Sequence, residues 1–163
     1  MPVQPDIAGV EVLLRSRAHA QRLGQNYVDT EHLLLAVLER SDRDPALQYI
    51  MQRFDLSEEM VEAVVLQYVH CGEYTGRAYR PDTERLTLVL QNAQVEATMH
   101  CSEYVRPHHL LLALIPSYEQ LGYNDNTGVA GFVLTKLGLV KEEVVHELKD
   151  HERRSHILAM ADG

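Results

Sequence analysis

The chain has 163 residues, a formal charge of −9 and two cysteines. A domain of that length buries roughly 70% of its extended-chain surface and needs no disulfide or metal to hold it together, and its acidic balance opposes the phosphate backbone, which argues against nucleic acid as a partner. With 45% apolar residues, no tryptophan and much Leu, Val, Ala and Glu, the composition favours helices over sheet.

Helices are predicted near residues 6–23, 30–40, 45–54 and 57–70, and again near 82–100, 107–116, 128–137 and 140–156. Asp55 with Glu58 has the spacing of a capping box, and Asp82 precedes the stripe Leu86, Val89, Leu90, Ala93 and Ala97 as an N-cap. Gly72 to Pro81 carries two glycines and a proline and reads as a linker. Ser117 to Gly128, rich in Gly, Asn, Asp and Tyr, reads as an inserted loop. The polar run Lys149 to Ser155 interrupts the apolar face of the last helix, so 151–163 is read as a polar tail, solvated or frayed. Cys71 and Cys101 sit among helix-like residues without CxxC spacing, and the first nine residues lack a basic region and an apolar core. Reduced thiols in the cytoplasm are expected, with neither export nor membrane insertion.

The eight helices fall into two copies. Sliding the chain by 77 residues lays Tyr27 to Ala36 on Tyr104 to Ala113 with seven of ten positions identical. A shift of 83 then lays Leu47, Ile50, Met51 and Phe54 on Ala130, Val133, Leu134 and Leu137, both at i, i+3, i+4, i+7 spacing. Pro107 falls where Thr30 falls, at a first helical position that tolerates proline. The expected fold is all-α, two tandem four-helix repeats with pseudo-twofold symmetry. The first repeat occupies 1–71, the linker 72–81, the second repeat 82–150 and the tail 151–163, the repeats forming one globular unit. The triplets Leu33 to Leu35 and Leu110 to Leu112 are expected to form core between the copies, with His32 and His109 in structural roles, each bonded to a backbone group beside it.

The stretch Ala18 to Leu38, with its run Tyr27-Val28-Asp29-Thr30-Glu31-His32-Leu33-Leu34-Leu35-Ala36, resembles the double Clp N-terminal domain at the front of the ClpA and ClpC unfoldases. Ala93 to Ile115 resembles its degenerate second copy, and with the following helices the resemblance spans about 6–150. It implies a module that docks adaptors and substrates onto a Clp ATPase. The sequence has no GxxxxGK[ST] loop to cradle phosphates, so it reads as a free-standing binding module or a fragment of something longer.

The resemblance also marks the helix start Asp29, Thr30 and Glu31 as ligand-binding, since some relatives recognise phosphorylated arginine there. Helix-terminal N–H groups and a hydroxyl suit a phosphate, and a carboxylate suits a guanidinium. The plainer reading is a cap at Asp29 or Thr30 and an exposed Glu31 favoured by the helix dipole. Arg106, Pro107 and His108 replace these residues in the second copy, which leaves the first as the only strong site expected. His146 and His151 are five apart and do not share a helix face, so the likeness to HExxH carries no zinc site; no metal, cofactor or catalytic residue is assigned. His100-Cys101 and His108-His109 are read as ordinary surface or core residues. No GxSxG context is present. The expected function is a non-enzymatic protein-binding module that recognises substrates or adaptors and modulates a Clp protease, its partners being a Clp ATPase, an adaptor or substrate proteins, with no nucleic acid and no membrane. The alternatives are a decoy that binds small molecules or damaged, phosphoarginine-marked proteins, and a small metal-dependent or cysteine hydrolase.

Overall fold

A computed structural model describes residues 3–74 and 79–162; Met1, Pro2, the 75–78 part of the expected linker and Gly163 lie outside the described residues. The fold is all-α. The first repeat comprises α1 (Ile7–Arg22), α2 (Thr30–Leu38), α3 (Pro45–Arg53) and α4 (Glu58–Tyr68). The second comprises α5 (Glu84–Met99), α6 (Pro107–Leu114), α7 (Gly128–Lys136) and α8 (Lys141–Asp162). Short 3₁₀ turns at Ser41–Arg43 and Tyr118–Gln120 precede α3 and α7, the second inside the longer loop that the change of offset implied.

The twofold relation is written in the backbone. Asp6 N–H donates to Val105 O at 3.1 Å and Val105 N–H to Gln4 O at 2.8 Å; 77 residues on, Thr83 N–H donates to Val28 O at 3.0 Å and Val28 N–H to Pro81 O at 2.9 Å. Each repeat therefore lends the segment before its first helix to the loop before the other repeat's second helix. This exchange makes Thr83, the counterpart of Asp6, the N-cap of α5: its Oγ1 accepts from Leu86 N–H at 3.2 Å. Asp82, the expected cap, instead forms the bridge to Val28.

The α2 and α6 hairpin partners lie at the centre. α1 packs on α2, α5 on α6, and α2 and α6 on each other. Every residue from Thr30 to Leu38 and from Pro107 to Leu114 is buried, both leucine triplets included. A fully buried leucine contributes about 1.5–3 kcal/mol, so the central pair is the main source of cohesion.

Asp55 does not cap α4. Its φ of 54° makes it the left-handed residue that closes α3, with Leu56 N–H returning to Met51 O at 2.8 Å. Ser57 Oγ takes the cap by accepting from Met60 N–H at 3.2 Å. Both cysteines are free and exposed, beyond helix ends rather than within helices. Cys101 (φ 55°) occupies the left-handed position that Gly24 (φ 70°) occupies in the first repeat. Gly24 cannot be exchanged in return, because a Cβ there would lie 2.1 Å from Gly72 O, where the linker crosses the end of α1.

The polar run after Lys149 does not end α8. Asp150 holds Arg153 at 2.7 Å and Arg154 at 3.5 Å across one turn, and the helix continues to Asp162. Its counterpart α4 stops at Tyr68, the position matching His151, so the last 11 residues of α8 overhang the repeat body.

Candidate functional site

The residues marked at the start of α2 lie between the repeats. Asp29 Oδ1 accepts from Thr30 N–H at 2.7 Å and from Thr83 Oγ1 at 2.8 Å, with Arg85 Nε at 3.6 Å. Thr30 Oγ1 donates to Thr127 O, at the start of α7, at 2.7 Å. Glu31 was expected to be an exposed first-turn carboxylate, yet it is 2% exposed, because its helix enters the core at its first turn. Among the described residues its Oε2 has no hydrogen-bond partner. Burial, with a smaller contribution from Asp29, pushes its carboxyl up to about 7. Arg85 lies over Gly128, where an added Cβ would stand 2.5 Å from Nη1, and donates to Tyr123 OH at 2.8 Å.

At the matching place in the second repeat, Arg106 is exposed and Pro107 and His108 are buried. His108 N–H donates to Asp44 Oδ2 at 2.9 Å and His108 Nδ1 lies 2.7 Å from the same oxygen. Asp44 Oδ1 meanwhile caps α3 through Ala46 N–H and Leu47 N–H at 3.1 and 3.4 Å. Burial raises the Asp44 carboxyl, but the bonds and charge from His108 outweigh it and hold the group below the usual carboxylate range. Shifting by 83 puts Thr127 on Asp44, so equivalent places meet across the seam: Thr30 bonds to Thr127 on one side and His108 to Asp44 on the other. One side holds a carboxylate bonded by a histidine; on the other the Thr127 hydroxyl stands beside Gly131 and, like Glu31 Oε2, has no partner among the described residues.

His32 Nδ1 accepts from Asp29 N–H and His109 Nδ1 from Arg106 N–H, both at 2.9 Å. Burial holds the two imidazoles down to about 4 and about 3, helped by His19 and Arg22 around His32 and by His108 and His100 around His109. Both rings are thus neutral acceptors at the helix starts. His100 joins His109 with ring centroids 6.0 Å apart, while Cys101 stays outside. His151 stacks on Tyr49 at 3.8 Å, away from His146.

A second pair of equivalent places lies at the outer ends of the repeats. Between α1 and α4 a shallow cleft of about 190 Å³ is bridged by Arg15 to Glu39 at 2.9 Å, His19 to Glu39 and Arg22 to Glu62. Between α5 and α8 the same place is a groove of about 680 Å³. There Asn92 stands for Arg15, Glu96 for His19, Met99 for Arg22, Lys141 for Glu58 and Val145 for Glu62. Lys141 pairs with Glu96, and Val95, Met99 and Val145 form an apolar strip in a wall whose other residues are polar, Asn92, His100, Glu142 and Lys149 among them. Val95 and Met99 are more than half exposed, with Leu88 just under half, one stripe along α5 outside its core face.

Residues 3–53 match the model of the Clp repeat (R) N-terminal domain. The chain carries a Clp N-terminal domain. It is similar to the chloroplastic chaperone ClpC of Pisum sativum, 30% identical over 129 residues, covering 79% of this chain and 13% of that one. Similarity to ClpB of Oceanobacillus iheyensis is 29% over 149 residues, 89% of this chain and 17% of the other. The chain thus spans well under a fifth of the length of these relatives. In fold it is similar to the N-terminal domain of the chaperone ClpD from Arabidopsis thaliana, with a TM-score of 0.62 at 19% identity over 92% of this chain and 95% of that one.

Within this Clp N-domain, sequence reasoning missed Asp44, Arg85, Thr127 and the α5 stripe. The stripe had a legible signal: Leu88, Val95 and Met99 are apolar yet fall off the face marked by Leu86, Val89, Ala93 and Ala97. Asp44 also had a local signal, an Asp before Pro45 at a helix start, which shows its cap on α3 but not its bond to His108. Arg85 and Thr127 had none, because their contacts with Asp29 and Thr30 form only across the repeat interface. Among the described residues no helix is long and apolar enough to cross a membrane.

Proposed function

We propose that this Clp N-domain is a non-catalytic protein-recognition module, which holds apolar segments of substrates or adaptors and modulates a Clp protease by delivering proteins to its ATPase or competing for them. The observation that carries this reading is the α5/α8 groove, wide and carrying the apolar strip Val95, Met99 and Val145 where its twin in the first repeat is bridged by Arg15, His19, Arg22, Glu39 and Glu62. A groove of several hundred Å³ with an apolar strip among polar groups suits a short peptide segment. Fluorescence anisotropy with a labelled, permanently unfolded casein tests it. Wild type binds saturably, and Met99→Glu, which puts a charge into the apolar strip, weakens binding at least about tenfold. Absence of saturable binding to wild type rejects the reading.

A second reading is favoured by the unpartnered Glu31 Oε2: recognition of phosphoarginine-marked proteins through Asp29, Thr30 and Glu31. A ligand guanidinium would have to displace Arg85 from its place over Gly128. Calorimetric titration of phosphoarginine should then show binding that Glu31→Ala removes and Arg85→Ala strengthens. Silence in wild type and in Arg85→Ala alike rejects it.

A further inference from the structure

The overhang of α8 presents a second apolar surface with nothing on it. Residues 152–161 are all exposed, and Ile157, Leu158 and Met160 are 57, 65 and 68% exposed. With Ala159 and Ala161 they make the last turns of the helix apolar all round, the pattern of a helix covered by a partner rather than one left in water. An 11-residue helical segment has little stability of its own.

We propose that this overhang docks into the α5/α8 groove of a second copy of the chain, reciprocally about a twofold axis. Three observations point to that occupant. The lengths are compatible: at 1.5 Å per residue the overhang from 152 to 162 is about 16 Å long and the α5 wall of the groove from Asn92 to Met99 about 12 Å, so the apolar end of the overhang can lie along the whole wall. The chemistry matches, because Ile157, Leu158 and Met160 would meet Val95, Met99 and Val145. The charges permit it. On a chain of net charge −9, the groove sets Lys141 and Lys149 against Glu96 and Glu142, and the base of the overhang sets Arg153 and Arg154 against Asp150 and Glu152. Two locally neutral patches can approach where most of the surface repels its like. The contact cannot form within one copy, since α8 runs straight from the wall of its own groove into solvent. One tail in one groove falls short of the roughly 1,000 Å² at which specific interfaces begin, and the reciprocal pair brings the association near it.

The inference uses the groove of the proposed function but not its client, so the two fail separately. Sedimentation equilibrium on the whole chain is the test, with circular dichroism confirming that each variant is folded. Wild type should show a reversible dimer. Leu158→Asp and Val95→Asp, both at exposed positions, should each raise its dissociation constant at least about tenfold. An equimolar mixture of the two should associate more than either alone, because each mixed pair keeps one intact tail facing one intact groove. A wild type that stays monomeric up to about 1 mM overturns the proposal. So does a dimer that Leu158→Asp weakens and Val95→Asp does not, which would mean tail pairing with tail, or a mixture that recovers nothing. Leu158→Asp should leave casein binding in place; loss of casein binding with the dimer intact would reject only the client reading.

Discussion

In the first repeat the interface side chain at the second position of α2 is Glu31, buried with an oxygen unbonded among the described residues; at the second position of α6 it is His108, bonded to Asp44. The backbone around the two is related by the same twofold exchange of segments, so the difference is one of chemistry alone. It teaches that an inter-repeat seam tolerates a titratable group on each side but satisfies it on only one. The outer clefts repeat the lesson: two ion pairs and a histidine–carboxylate contact bridge the first, and one pair beside the strip Val95, Met99 and Val145 leaves the second open.

The largest expected effect comes from breaking the satisfied side. His108→Ala leaves Asp44 a buried carboxylate without its imidazole, and such a loss costs about 3 kcal/mol; urea unfolding at pH 7 measures it. Asp44→Asn in the same background should recover part of that loss, since the charge is then gone too.

The unsatisfied side should respond with the opposite sign. Glu31 has a folded pKa of about 7, above its unfolded value, so its contribution is fully present below pH 4.5 and is lost as pH rises through 7. His32 and His109, held down to about 4 and about 3, behave inversely: their contribution is present above pH 6.5 and lost as pH falls through those values. The slopes oppose between pH 4.5 and 6.5, where one carboxylate offsets one of the two imidazoles, so wild-type stability should rise with pH at about half the slope the imidazoles alone would give. Glu31→Gln should therefore stabilise by about 3 kcal/mol at pH 8 and leave stability at pH 4 unchanged. In the variant, the rise with pH through that window should be about twice as steep as in wild type. Unfolding curves at four pH values separate these outcomes, and a variant that tracks wild type throughout would show that Glu31 keeps its charge in the fold.

The smallest stability effect belongs to the clefts. Arg22→Met copies the second repeat into the first by removing the exposed pair with Glu62, and should change stability by no more than about 1 kcal/mol. Its value lies in binding: if charge bridging is what closes the first cleft, the variant should gain a second, weaker casein site visible as a change in stoichiometry.

Much of the fold was legible because its signals are local. The stripes at 47, 50, 51, 54 and 130, 133, 134, 137 need only a helix and a core, and the repeated Tyr-Val and His-Leu-Leu-Leu-Ala positions fix the two copies whatever their packing. The misses have one cause. Asp82 and Asp55 carry good capping chemistry, but Asp82 bridges to Val28 of the other repeat and Asp55 is held left-handed by the end of α3, so neighbours took the caps. Glu31 reads as a surface carboxylate because the dipole rule knows nothing of what lies beyond the helix end. Lys149 to Ser155 reads as the start of a solvated or frayed extension of a helix ending near 156, and the extension is solvated but helical to Asp162, because polarity argues against burial and not against a helix standing in solvent.

By itself the sequence determined the eight helices, their pairing into two repeats and the all-α class, since each follows from periodicity and self-similarity along the chain. Only the tertiary structure decided which members of equivalent pairs meet which partners. It buried Glu31, joined Thr30 to Thr127 and His108 to Asp44, bridged one cleft with paired side chains and left the other open, because those outcomes depend on side chains some 20 to 100 residues apart arriving at one place.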